Sequence, residues 1–270
     1  MAELIEQPRS AAIITGGGRG IGRAITRRLA LDHAVVVVGR TEADLLEVCA
    51  EVAAAGGEAL PCVGDVADPA TAAAALAIVS ARGWSLQHLV CNAGIGKSSA
   101  TELLDTQSWL HVFEVNVHGC FHLVRACLPA LLGREGAAIT IVSSLAGVRG
   151  VAFDSAYTAS KHALVGLARA LALEYRKRGL TVVALCPGFV DSTMTERTIR
   201  GVMRRQGLDE AQARARVASR SPAGRILPAA ELAEVVSLLG RQRLDDALAL
   251  ARDGGYPILG SPELSREEGA

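Results

Sequence analysis

Ala11-Ala12-Ile13-Ile14-Thr15-Gly16-Gly17-Gly18-Arg19-Gly20-Ile21-Gly22 is a short apolar run that breaks abruptly into glycines, and apolar residues return at helical spacing from Arg23 to Leu31. The pattern reads as strand, glycine turn, helix. Glycines in such a turn let the backbone approach a pyrophosphate and let the helix pack closely on the strand. The helix N-terminus then faces the phosphates. The spacing of Gly16, Gly20 and Gly22 is GxxxGxG rather than the commoner GxGxxG. A glycine turn alone is equally a tight βα loop; its place directly after the first strand favours a nucleotide cradle.

Outward from this stretch the chain keeps alternating. Ala34–Gly39 reads as a buried parallel strand ending in Arg40 and Thr41, and 42–55 as a helix stopped by Gly56-Gly57. A third strand over 58–63 closes in Gly64-Asp65-Val66, and Asp68-Pro69 caps and starts the next helix. Ser85–Cys91 is a fourth strand running into Asn92-Ala93-Gly94; a helix pair follows through Trp109 to Gly119. A fifth strand over 137–142 ends in Ser143-Ser144, a helix carries Tyr157 to about Lys177, and a sixth strand over 180–186 ends in Pro187-Gly188. This predicts a single α/β domain over 1–270: a Rossmann-like, doubly wound parallel sheet with helices on both faces. The special residues all follow strands at their carboxyl ends, where such folds bind ligands. In a dinucleotide fold the residue after the second strand meets the adenosine ribose, and an acid there holds the free 2′-hydroxyl. Here it is Arg40, with Arg19 as a second cation, and two guanidinium groups suit a 2′-phosphate. The alternative is a solvated strand end.

Composition narrows the function classes. Of 270 residues, 50% are apolar, enough for a sizeable core. Twenty-eight basic residues balance 28 acidic ones, so nothing pulls the chain toward nucleic acid or an anionic membrane. Aromatics at 3% leave little for base stacking. The six cysteines show no CxxC pair and read as buried thiols in a reducing, cytoplasmic setting. The N-terminal residues lack a signal-peptide pattern, and no apolar run is long enough to span a bilayer. Residues 7–9 and 261–270 read as frayed ends.

Ser155-Ala156-Tyr157-Thr158-Ala159-Ser160-Lys161 carries the chemistry. Lys161 is one of only three lysines, with Lys97 and Lys177, in a chain that otherwise uses arginine. Four residues apart on a helix, phenol and ammonium share a face. A nearby ammonium favours phenolate, which would lower the tyrosine from its reference near ~10 and make Tyr157 a general acid/base. A YxxxK pair alone is common on ordinary helices. His118 and His122 stand four apart, but without a third ligand no metal is expected. Ser144 lacks the G-x-S-x-G elbow of a hydrolase.

Taken together, TGGGRGIG at 15–22, DV at 65–66, CNAG at 91–94, Asn116, Ser144, YTASK at 157–161 and PG at 187–188 resemble the short-chain dehydrogenase/reductase family from about Ser10 to Leu239. The chain is most similar to its 3-oxoacyl-thioester reductases. Ser144 stands thirteen residues before Tyr157, as the family pattern requires. The resemblance implies that Tyr157 exchanges a proton with the substrate oxygen, Ser144 positions that oxygen, and Lys161 holds the nicotinamide ribose and lowers the Tyr157 pKa. Asn116 would hold a water linking Lys161 to solvent. It further implies cofactor contacts from Gly16, Gly18, Arg19, Gly20, Ile21, Gly22, Arg40, Thr41, Asp65, Val66, Asn92, Ala93, Gly94, Pro187, Gly188, Val190 and Thr193, beside Tyr157 and Lys161. The cofactor expected is NADP, with NAD as the alternative; the expected substrate is a small carbonyl or alcohol, free or carrier-linked. A homo-oligomer, tetramer or dimer, is implied too. Ser192-Thr193 stands where relatives often have Thr-Pro, and 247–255 only loosely resembles the usual last strand and its DGG ending.

The stretch from about 190 to 226 is the substrate lid in the resembled family. Here it is rich in arginine, at 197, 200, 204, 205, 214, 216, 220 and 225. Either this is a solvated face or a landing site for an anionic or carrier-linked substrate. The leading function is an NADP(H)-dependent oxidoreductase of a ketone or secondary alcohol. The alternatives are a dehydrogenase of a small hydrophobic or cyclic secondary alcohol and a non-catalytic, cofactor-sensing protein.

Overall fold

The computed structural model describes residues 9–260. Six strands are parallel: β1 (Ser10–Thr15), β2 (Ala34–Gly39), β3 (Ala59–Val63), β4 (Ser85–Cys91), β5 (Ala138–Val142) and β6 (Thr181–Leu185). A seventh, β7 (Ile258–Leu259), runs antiparallel to β6, giving the order β3-β2-β1-β4-β5-β6-β7. The order reverses direction at β1, so a crevice opens between the ends of β1 and β4.

The strands are apolar on both faces because both faces are covered. Ala11 and Ile13 of β1 join a core with α3 (Pro69–Ala81), α5 (Gly119–Leu131) and α6 (Ser155–Tyr175). Ala12 and Ile14 face the other way, toward α1 (Gly20–Leu29), α2 (Glu42–Ala54) and α9 (Ala229–Gly240). The period-two alternation of a strand thus divides its residues between two layers. Asp68 caps α3 by accepting from the Ala70 N–H at 2.9 Å, with Pro69 following it.

Three sequence expectations need correction. Residues 247–253 are not a last strand; they belong to α10 (Leu244–Asp253), whose Ala247 and Ala251 are buried while charged residues face outward. The strand comes after the glycines, as β7, and is reversed. Arg9 is not frayed: its carbonyl accepts from the Ser85 N–H at 2.9 Å and its guanidinium binds Glu58 at 2.6 Å. The remaining expected frayed residues, 7–8 and 261–270, lie outside the described residues. Of the six cysteines, Cys49 is only half-buried; the other five are buried, and all six are free thiols. Among the described residues no helix is long and apolar enough to cross a membrane.

Candidate active site

The glycine turn leaves β1 as the pattern predicted, and α1 starts at Gly20. Gly16 has φ +63°, and a Cβ on Gly22 would collide with the Gly16 carbonyl oxygen. Only glycine permits this close return of helix onto turn. The turn is one wall of a cleft of about 240 Å³ whose lining includes Gly16, Gly18, Arg19, Arg40, Thr41, Asp65, Val66, Ala93 and Gly94. Sequence reading did not pick out Asp44, Leu45, Ile95 and Val115, which line it too. Asp44 had a signal: an acid in the first turn of α2, just past Arg40 and Thr41.

Asp44 changes the electrostatics. Its carboxylate lies 2.5 Å from Arg19 Nε, and Asp65 lies 3.8 Å from Arg40. The cleft therefore holds two cations and two acids, not the two unopposed guanidinium groups read from sequence. Asn92, at the end of β4, is held by the frame of the sheet. Its amide donates to the Thr15 carbonyl at 3.0 Å, and its backbone N–H donates to Thr15 Oγ1 at 2.9 Å. These bonds tie the ends of β1 and β4 together and leave the side chain engaged by the frame. Ile21 is half-buried on α1. The Pro187 carbonyl accepts from Leu145 N–H at 2.9 Å, and a Cβ on Gly188 would come within 3.0 Å of Ser221 Oγ.

On the other side of the cleft the catalytic candidates converge. α4 (Thr106–Phe113) runs into α5 through a π-helical turn over Glu114–His118, which contains Asn116. Such widened turns are frequent at functional sites. Asn116 is buried; its oxygen accepts from Ile95 N–H at 2.8 Å and its amide donates to Ile95 O and Ser160 Oγ, each at 2.9 Å. Lys161 is buried, and its ammonium donates to the Val142 carbonyl at 2.9 Å. A Cβ on Gly94 would stand 3.3 Å from Asn116 Oδ1 and 3.4 Å from Lys161 Nζ, so these groups meet at the end of β4. Ser144 accepts from Ala146 N–H at 3.1 Å.

The pKa pattern departs from expectation. Lys161 lies 5.6 Å from the Tyr157 ring centroid, yet the phenol is raised above its ordinary value. Desolvation does this first, a hydrogen bond with Ser144 works against it, and Asp154 adds to the rise. Lys161 itself is lowered to about 8, because burial penalises the ammonium more than its surroundings compensate. These surroundings favour the phenol over the phenolate.

The residues fit a dinucleotide. Gly16 and Gly18 put bare backbone on the cleft wall, and Lys161 has one carbonyl partner for three ammonium protons. Tyr157 and Lys161 would face the reacting end, and Arg19, Arg40 and Thr41 the adenosine end.

The stretch from Val190 onward folds as two helices, α7 (Thr193–Gln206) and α8 (Glu210–Ala218), around a small core of Ile199, Val202, Ala213 and Val217. Its two ends are pinned together: Asp191 N–H donates to Leu227 O and Leu227 N–H to Phe189 O, both at 2.8 Å. Val190 is buried in this base, while Thr193 is exposed at the start of α7, capped by Ser192. Arg214 is paired with Glu196 at 2.5 Å and Arg225 with Glu231 at 2.7 Å. Arg197, Arg200 and Arg204 share one exposed stripe of α7.

A family profile described as short chain dehydrogenase matches residues 10–202. The granaticin polyketide synthase putative ketoacyl reductase 1 of Streptomyces violaceoruber is 35% identical over 245 residues, 90% of this chain and 89% of that protein. A 3beta-hydroxysteroid dehydrogenase of Mediterraneibacter gnavus is 38% identical over 202 residues, 74% of this chain and 73% of its own. Among solved structures, an actinorhodin polyketide ketoreductase variant with NADPH superposes with a TM-score of 0.80 at 33% identity, covering 86% of this chain and 90% of that one.

Proposed function

The chain belongs to the short chain dehydrogenase family and is an oxidoreductase, and from that premise we propose that it transfers a hydride between NADP(H) and a ketone or secondary alcohol, in the manner of 3-oxoacyl-thioester reductases. The observation that carries the reading is the convergence of Ser144, Tyr157 and Lys161 beside a glycine-walled cleft. The cofactor, when bound, supplies the hydride. The chain's residues do the rest. Ser144 orients the substrate oxygen, and Tyr157, kept protonated by burial, donates to it. Lys161 brings an ammonium to the ribose end of the same cleft and, once partnered there, stays charged. Asn116 holds the Ile95 segment and Ser160 in place around them.

Support for NADP(H) over NAD(H) is the pair Arg19 and Arg40, tempered by Asp44 and Asp65. Support for an anionic or carrier-linked substrate is the exposed stripe of Arg197, Arg200 and Arg204 on α7, whose capping residue Ser192 would stand 3.4 Å from a Cβ on Gly20 of the glycine turn. The lid is a self-packed unit on a pinned base, an arrangement suited to opening and closing. A second reading, oxidation or reduction of a hydrophobic cyclic substrate, is favoured by the apolar loop between Ser144 and Tyr157. The test is turnover of a panel of ketones and alcohols with each cofactor, followed by reduced-cofactor absorbance. No turnover of any member, with cofactor bound, would overturn the reading. Assembly as a dimer or tetramer is part of the proposal, and sedimentation of the purified chain tests it.

A further inference from the structure

We propose that Phe153 is a specificity-determining residue at the substrate mouth, selecting large apolar, ring-containing ketones or alcohols over small acyclic ones; this rests on the oxidoreductase reading above. Phe153 combines two unfavourable features. Its phenyl is 67% exposed, and its backbone has φ +66°, the left-handed region that a bulky side chain avoids. Among the described residues only one other non-glycine, Gln242, has positive φ. Gln242 has a local reason: its side chain bonds Thr181 Oγ1 at 2.9 Å and the Gly136 carbonyl at 3.2 Å. The phenyl of Phe153 offers no such bond, and its exposure means that it adds little to the core.

What holds Phe153 there is the catalytic frame. Its carbonyl accepts from Ser99 N–H at 2.7 Å, and the next residue, Asp154, accepts from Ser98 Oγ at 2.5 Å. The segment leaving β4 that makes these bonds also packs Gly96 against the Tyr157 ring, where a Cβ would press within 3.2 Å. Ile95, one residue earlier, is locked by Asn116. Phe153 is thus fixed relative to Tyr157 by two anchors rather than left on a loose tip.

The rest of its loop has the same character. Val148 and Val151 are also exposed. The one charged side chain between Leu145 and Phe153, Arg149, reaches the Arg220 carbonyl at 3.3 Å, toward the lid. The loop joins Ser144 to Tyr157. A substrate whose oxygen met both residues would lie beside this loop, which the bonds from Ser98 and Ser99 hold next to the segment packed on the Tyr157 ring. Three exposed apolar side chains on one short loop point to a binding rather than a folding role, and backbone strain of this kind persists where function holds it. An apolar ring of the substrate is the occupant that covers the phenyl.

The experiment compares kcat/KM for 2-tetralone, a bicyclic aromatic ketone, and ethyl acetoacetate, with Phe153→Gly, Phe153→Asn and Phe153→Leu variants. Glycine and asparagine tolerate the left-handed backbone, so neither is expected to lower the melting temperature. The wild type should favour 2-tetralone. Phe153→Gly and Phe153→Asn should lose at least about tenfold on 2-tetralone, chiefly in KM, and less than about twofold on ethyl acetoacetate; Phe153→Leu should retain an intermediate preference. Equal losses on both ketones, no loss on either, or a wild-type preference for ethyl acetoacetate overturns the proposal. So does a changed sedimentation mass with an unchanged tetralone-to-acetoacetate ratio, which would assign the ring to contact with a second copy. No turnover of either ketone with NADPH or NADH overturns instead the oxidoreductase reading.

Discussion

Replacing Lys161 by Met in the cofactor-free protein should change not only activity but the pH dependence of folding. The ammonium is buried and donates to a single carbonyl, Val142 O, and its pKa falls from the ordinary 10.5 to about 8. Between these values the unfolded chain holds a proton that the folded chain has released. Stability then rises with pH, because the unfolded state binds more protons. The slope is about 1.4 kcal/mol per pH unit, summing to about 3 kcal/mol across the window. Below pH 8 both states hold the proton, the slope vanishes and the full burial penalty is present. Methionine keeps an unbranched stem of similar length and no charge. The variant should therefore be more stable than the wild type at pH 7, by about 1–2 kcal/mol after allowing for the lost hydrogen bond to Val142 O. Toward pH 10 the wild type should close that gap and pass it. Urea unfolding of both proteins from pH 7 to 10 measures the difference. Other groups that titrate in this range are common to both chains and cancel. Parallel profiles would refute the reasoning and mean that Lys161 is solvated or partnered beyond what its surroundings indicate.

Tyr157→Phe should reduce turnover at least about a thousandfold while changing cofactor affinity less than about threefold, since the ring packing survives and only the proton donor goes; steady-state kinetics with a cofactor-fluorescence titration would check it. Asp44→Asn should release Arg19 and raise the NADP(H)-to-NAD(H) affinity ratio about three- to tenfold, read by the same titration with both cofactors; an unchanged ratio would remove Asp44 from cofactor choice. Arg200→Ala with Arg204→Ala should weaken use of an acyl coenzyme A thioester at low salt and leave a neutral analogue unaffected, the contrast fading as salt rises and exposed charges are screened. Equal effects on both substrates would reduce the stripe to a solvated face.

The features legible in the chain alone were those written in local pattern. Alternating apolar runs and helical periodicity carry the doubly wound sheet, because a strand buried on both faces and a helix packed on one leave different periods behind. Gly16 and Gly22 are legible because a close turn tolerates no Cβ; Tyr157 and Lys161 are legible because four residues put them on one helix face, and Ser144 through the resemblance, whose pattern sets it thirteen residues before the tyrosine. What escaped the sequence depends on partners distant along the chain. Arg19 and Arg40 read as open cations until Asp44 and Asp65 are seen beside them. The bond from the Asn92 amide to the Thr15 carbonyl, which ties β4 to β1, has no mark in either local stretch. Tyr157 reads as acidified by Lys161, whereas burial, a property of the assembled fold, raises the phenol and lowers the lysine instead. The left-handed Phe153 and the reversed β7 likewise have no local signature. Backbone geometry and periodicity are properties of neighbours in sequence; charge pairing, desolvation and strain are properties of neighbours in space, and only the folded chain brings those neighbours together.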